Sequence, residues 1–455
     1  MRKNRIVSAI LALLMTLSCV AALVLPTAAY DEIYLQNSYH KLTVDKKLTV
    51  AYFGGSVTVG SGLDSADQNT LSWRGLTRDW LKAKFPDAEI EEVYAAIGGT
   101  GSRFASYRAT RDLKLDSKTI DLIFIENCIN DNYEGLGGET EELKTNDAVN
   151  VAKVLANNPY ADIIFLGTTD SGKTDGADYK ALVAHREFAE ENGFSFLNIG
   201  KNLWTKLNEM YKDNGGASAH WNEYFKDIVH PLAPGYRIYA DDIIATYFQP
   251  MLDSNLDKNA YVPTAEKLNL TDRVKNADTN RFVTKSIGAI TNVNKYAGSR
   301  GFNVGSQLVG SKDGAALAFK FTGTNAYLWS DKKAANGKYE AFIDGSDTPN
   351  VINLYRTSEG GQQFLFPVSP TPLENGEHTV VIVLRANVGG SQNYISNIAI
   401  DGADINSVEF VEVPEGYGFE IPLEPVVVDP DGLKLKIDNS KAIDINTGTY
   451  DDKKV

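Results

Sequence analysis

The sequence predicts an α/β fold: a three-layer αβα sandwich built on a parallel sheet of about five strands, followed by an all-β sandwich. Three observations carry this reading. Apolar runs alternate with amphipathic helical stretches from residue 45 to about residue 252. Past Pro263 the helical period fades, and short strands alternate with Gly, Asn and Asp turns. The first 29 residues have the pattern of an export signal rather than of a folded element.

In chain order, Arg2, Lys3 and Arg5 precede an apolar run over residues 6–25, and Thr27-Ala28-Ala29 offers small residues for cleavage. Residues 1–29 therefore read as a secretory signal peptide. A retained membrane anchor is the alternative, because the run is long. Thr16 stands where a lipoprotein signal would place leucine before Cys19. The chain beyond residue 29 is too long for one ordinary domain, and 43% hydrophobic residues supply ample core. The net charge is −14, and loss of the three signal cations makes the chain more acidic still. Nucleic acid and anionic membrane are poor partners for such a chain. Without the signal, Cys128 is the single cysteine, so no intramolecular disulfide can form. The expected location is secreted or cell-surface, in a bacterium, with no membrane span once the signal is removed.

The predicted sheet strands are residues 48–53, 90–95, 120–125, 163–166 and 194–199. Between them, Trp73, Leu76 and Trp80 recur at helical spacing, as do Ala148, Val151, Ala152 and Leu155. Residues 235–252 read as a closing helix with Ile243, Ile244, Tyr247 and Phe248 inward. In the second half the strands are 316–322, 325–330, 338–343, 363–367, 378–385 and 394–400, with Asn336-Gly337 and Asp344-Gly345 as turn signals. The expected domains are 30–260 and 261–411, with a proline- and acid-rich linker and tail over 412–455.

Four segments carry chemistry. Gly54-Gly55-Ser56 follows the first strand, where two glycines allow a sharp turn and close approach. Gly98-Gly99-Thr100-Gly101 follows the second strand and Cys128-Ile129-Asn130-Asp131 the third. Asp227-Ile228-Val229-His230 precedes the last helix. A serine hydroxyl needs a base to take its proton, and an aspartate three residues before a histidine can fold back to accept the imidazole Nδ1 hydrogen. Gly99, Asn130 and the Ser56 amide could offer donors to a developing oxyanion. Each segment alone has a plain structural reading, as a turn or a helix cap. The five histidines and Cys128 show no zinc spacing and the acidic residues no EF-hand pattern, so neither metal nor cofactor is expected.

Together and in this order, the four segments resemble the four blocks of the SGNH (GDSL-like) hydrolases. Gly-Gly-Ser in the first block and Ile97-Gly98-Gly99-Thr100-Gly101-Ser102 in the second resemble the carbohydrate-esterase branch. The resemblance covers about half the chain, residues 45–252. It implies a flavodoxin-like sheet, with Ser56 as nucleophile, His230 as base, Asp227 as its partner, and Gly99 and Asn130 as oxyanion donors. Tyr94 and Cys128 depart from the family pattern at positions that shape the pocket. The implied activity is hydrolysis of O-acyl, chiefly O-acetyl, esters on carbohydrate or polysaccharide through an acyl-enzyme. The rivals are a lipase or general short-chain esterase, and a non-catalytic carbohydrate-binding surface protein.

The second half resembles galactose-binding-like, jelly-roll-like sandwiches in a general way. A glycan is a candidate partner, and Tyr327, Trp329, Tyr339 and Tyr355 could stack on its rings, but the favoured reading for most of them is that they alternate into the core, as strand aromatics usually do. The sheet half builds its own core, so it is expected to cleave small esters without the sandwich.

Overall fold

The computed structural model describes residues 35–417, apart from 134–139, 285–301, 305–307, 311–312, 333–335, 356–361, 386–392 and 403. The expected signal peptide and the tail beyond residue 417 lie outside the described residues.

Five strands, β1 (Lys47–Gly54), β2 (Glu89–Ala96), β3 (Leu122–Glu126), β4 (Asp162–Leu166) and β5 (Ser195–Leu197), form one parallel sheet ordered β2-β1-β3-β4-β5. β1 is buried along all but its first residue, as a parallel strand covered on both faces must be. β5 is shorter than predicted because its flanks are engaged by helix ends. Phe194 N–H closes the preceding helix on Ala189 O, and the Asn198 side chain caps the following one at Lys201 N–H.

The helices that matter for the site are α1 (Ser56–Val59), α2 (Trp73–Lys84), α3 (Ser102–Asp112), α4 (Cys128–Tyr133), α5 (Thr140–Asn157), α6 (Lys180–Asn192), α7 (Ile199–Met210) and α8 (Ala233–Ile243). The Ser72 hydroxyl caps α2 at Gly75 N–H, and Trp73 enters the core edge-on to Tyr52 and Phe124. The predicted closing helix is α8, a π-helical turn at Ile244–Phe248, and a last helix Gln249–Asp253. The wider turn shifts the helical phase and brings both Tyr247 and Phe248 into the core.

The strand order reverses direction between β1 and β3, so a crevice opens at their C-terminal ends, where open α/β sheets bind ligands. Gly54 sits in register with both Ala96 and Glu126. The three strands therefore end level, and the loops after them emerge side by side.

The second half is antiparallel. One sheet orders Gln362–Pro367, Asn325–Lys332, Asn397–Asp401 and Arg281–Val283. A second orders Asn350–Asn353, Lys338–Ile343, Gly376–Arg385, Ala316–Gly323 and Glu409–Val411. A small third sheet holds Asn393–Ile395, Leu308–Gly310 and Phe302–Val304. The predicted strand 394–400 is two strands, because the chain changes sheets at Ser396.

Of the four aromatics considered for sugar stacking, Tyr339 is core and Tyr355 is exposed. Tyr327 and Trp329 do neither: they pack with Val283, Leu365 and Ala399 against Phe104 and Tyr107 of α3. The Phe104 and Trp329 rings meet edge to face at 4.7 Å. Tyr107 Oη–H donates to Asp401 Oδ1 at 2.8 Å, and Arg111 Nη1–H donates to Thr284 O at 2.9 Å. α3 thus lies between the sheet domain and the β-sandwich.

Candidate active site

Ser56 opens the one-turn helix α1 directly after β1. Both glycines before it are required by proximity. A Cβ on Gly54 would stand 2.4 Å from Thr58 Oγ1, and one on Gly55 would stand 1.8 Å from Asn130 Oδ1. The turn is therefore pressed against β3 and α4, and Ser56 is lifted to the crevice, part exposed.

His230 Nε2 lies 2.9 Å from Ser56 Oγ, and His230 Nδ1 lies 2.7 Å from Asp227 Oδ2. A carboxylate only accepts, so Nδ1 carries the hydrogen and Nε2 is left to accept from the serine. The other Asp227 oxygen accepts from the amides of Val229 and His230, both at 2.9 Å. Partial burial pushes the Asp227 carboxyl up, but the hydrogen bonds from the His230 ring and these two amides outweigh it and hold it below its usual range. The loop is clamped at several points. Trp221 Nε1–H donates to Asp227 O, Ser171 N–H donates to Ile228 O, and Lys226 N–H donates to His230 O.

The loop after β2 passes beside the serine: a Cβ on Gly98 would sit 3.7 Å from Ser56 Cβ. Gly99 has φ +74° with open space where a side chain would point. Only glycine adopts this conformation freely. Asn130 stands on α4, buried, with its amide oxygen against Gly55. The five residues singled out from the sequence, Ser56, Gly99, Asn130, Asp227 and His230, thus lie on loops and helix starts around one crevice.

Three buried groups beneath the crevice escaped the sequence reading. Glu126, the last residue of β3, accepts from Thr58 Oγ1 at 2.9 Å and from Thr168 Oγ1 at 2.8 Å, tying α1 to the segment after β4. Burial pushes its carboxyl up to about 7 against these hydroxyls and the amides of Gly55 and Thr58. Arg108 of α3, fully buried, donates to Ala95 O at 2.6 Å, Gly54 O at 2.9 Å and Thr100 Oγ1 at 3.1 Å. His185 of α6 lies between two carboxylates, 2.7 Å from Asp131 Oδ2 and 2.5 Å from Asp147 Oδ2. Burial opposes its charge, but Asp147 and Asp131 outweigh burial and raise it well above the ordinary histidine value. Asp131, beside Asn130, accepts Ser102 N–H at 2.8 Å and so fastens α4 to the start of α3. A charge closing an apolar strand is the signal that could have flagged Glu126. His185 has no such signal, since its partners lie 38 and 54 residues away.

Cys128 is buried against Tyr179, and burial raises its thiol. His220 stacks on Tyr211 and pairs with Glu223 rather than joining the loop of Asp227. Among the described residues, no group of three or more His, Cys, Asp and Glu is arranged to hold a metal ion, and no helix is long and apolar enough to cross a membrane.

Residues 52–238, which hold all five site residues, match the GDSL-like Lipase/Acylhydrolase family. No curated protein sequence matches the chain. Among solved structures, a two-domain esterase active on acetylated mannans is similar with a TM-score of 0.63 and 19% identity, over 81% of this chain and 96% of that one. A two-domain esterase of the same description, co-crystallised with mannopentaose, gives a TM-score of 0.60 at 19% identity, over 79% of this chain and 91% of that one. The likeness is one of fold, and it extends across both halves.

Proposed function

We propose that this chain is a secreted serine esterase that removes O-acyl groups, O-acetyl above all, from carbohydrate or polysaccharide. The observation that carries the reading is the line Ser56 Oγ, His230 Nε2, His230 Nδ1, Asp227 Oδ2 at hydrogen-bond distances beside the Gly98-Gly99 turn. In this reading Ser56 Oγ attacks the ester carbonyl carbon while its proton passes to His230 Nε2. The carbonyl oxygen becomes an oxyanion held by the Gly99 and Ser56 amides and by Asn130. Collapse breaks the bond to the sugar oxygen, which takes the proton from His230. A water then gives His230 a proton as it attacks the acyl carbon, and collapse breaks the bond to Ser56 Oγ, which takes that proton from His230 as the acid leaves. Asp227 holds the imidazole in the required tautomer throughout.

The choice of an acetylated carbohydrate is supported by the similar two-domain esterase, which acts on acetylated mannans, and by the export-signal pattern read in the sequence of residues 1–29. The test is acetate release from acetylated mannan and acetylated xylan, with 4-nitrophenyl esters of rising chain length beside them. Release of acetate by the native chain, lost in Ser56→Ala, is the expected result. Preference for long acyl chains would favour a lipase. Absence of turnover on every ester would leave a carbohydrate-binding protein.

A further inference from the structure

α3 is a strut with two worked faces. Its start carries the loop that passes Ser56, since Gly98 and Gly99 lie only three to four residues before Ser102. Towards the sheet, Arg108 holds the carbonyls of Gly54 and Ala95 and the hydroxyl of Thr100, and Asp131 takes the Ser102 amide. Towards the sandwich, Phe104 and Tyr107 join Tyr327 and Trp329 in one apolar cluster. Ile97, the residue immediately before Gly98, packs on the same cluster. The cluster that the sandwich shares with α3 therefore reaches to within one residue of the turn that lies against Ser56. Polar contacts fix its angle: Asp401 accepts from both Tyr107 and Tyr327, at 2.8 and 2.7 Å. Without the sandwich, Phe104 and Tyr107 would face water where they now meet Trp329 and Tyr327.

We propose that the β-sandwich is a working part of the esterase site, and that Trp329, with the Tyr107–Asp401 bond, positions the Gly99 amide for the oxyanion. This rests on the reading of Ser56 and Gly99 given above. A donor acts only when aimed at where charge develops, and a displacement of about 1 Å at a reacting centre can cost about a hundredfold in rate. Substrate need not bind less well, because the donor matters most in the transition state.

The test uses the full chain and 4-nitrophenyl acetate, a substrate too small to need a glycan-binding surface. In Trp329→Ala, kcat is expected to fall about 10–100-fold with KM within about twofold. Phosphorylation of Ser56 by diethyl 4-nitrophenyl phosphate, in which Ser56 Oγ bonds to phosphorus and 4-nitrophenolate leaves, also builds an oxyanion-like centre and should slow in parallel. Trp329→Phe should restore most of both. Tyr107→Phe, which loses only a hydroxyl, is the second variant should Trp329→Ala fail to fold, and it should show the same kcat-only loss at smaller size. Folded variants with native kcat and native phosphorylation rate would overturn the proposal. So would a loss confined to KM. Ser56-independent turnover in the native chain would instead defeat the esterase reading itself, so the two failures are distinguishable.

Discussion

Ser56, His230 and Asp227 were legible because their chemistry is tied to short local patterns: glycines before a serine at a strand end, and an aspartate three residues before a histidine. Asn130 follows from the same logic, a polar side chain at the start of a helix after β3, and its place beside Gly55, next to Ser56, makes its Nδ2 amide a donor to test. Asn130→Ala is expected to lower kcat about 10²–10³-fold with a smaller change in KM, because an oxyanion donor is used chiefly in the transition state. Steady-state kinetics on a small acetyl ester reads the split directly, and an effect confined to KM would make Asn130 a substrate-binding residue instead. His185 was not legible. Its role comes entirely from α4 and α5, which bring Asp131 and Asp147 to its two ring nitrogens. The same holds for Arg108, whose acceptors are main-chain carbonyls of β1 and β2. No spacing in the chain announces a contact of that kind.

At the level of elements, the five sheet strands were all foreseeable as apolar runs, whereas their order β2-β1-β3-β4-β5 was foreseen only through the flavodoxin-like sheet that the family resemblance implies. The misread portions have local causes. β5 gives up residues to flanking caps, and the strand near residue 396 splits because it serves two sheets. Short polar strands such as Asn350–Asn353 carry too little alternation to be seen. One element junction makes a pH-dependent prediction. Glu126 ends β3 as a buried carboxyl raised from 4.5 to about 7. A raised pKa means the folded state binds the proton more tightly than the unfolded one. The stabilisation is thus full below about 4.5 and is lost as pH rises through about 7. Glu126→Gln, which cannot ionise, should remove that dependence. Urea unfolding at pH 5 and pH 8 should show the native chain losing up to about 3 kcal/mol more than the variant over this interval. Equal losses in the two proteins would mean that Glu126 is ionised in the fold across the whole range.

Across the whole molecule, the sequence separated two halves of unlike texture but said nothing of how they meet. Tyr327 and Trp329 read as core first and as sugar platforms second, and the structure gives them a third place, against α3. The expectation that the sheet half acts alone on small esters did not consider this surface, since truncation would strip the cover from Phe104 and Tyr107. Interfaces between domains default to loose coupling unless they are apolar and well fastened. Here an aromatic cluster is ringed by hydrogen bonds from Tyr107 to Asp401, Arg111 to Thr284 and Arg281 to Asn146, and Lys153 Nζ donates to Ser106 O. Opening it would expose the aromatics and leave that buried ammonium, pushed down to about 7 by burial, short of an acceptor on the sandwich side, where it also donates to Arg281 O. The two halves should therefore unfold together. Four of the five tryptophans, Trp73, Trp80, Trp204 and Trp221, lie in the sheet half, and Trp329 alone reports from the sandwich side of the contact. Thermal unfolding followed by far-ultraviolet circular dichroism, which sees both halves, and by tryptophan fluorescence should give one coincident transition. Trp329→Phe should keep the two curves together, since it preserves most of the packing. Trp329→Ala should lower the midpoint and pull the curves apart, because the sandwich can then melt without carrying α3 with it. Two separate transitions in the native chain would show that the halves are energetically independent and that the contact on α3 is too weak to hold the loop of Gly99.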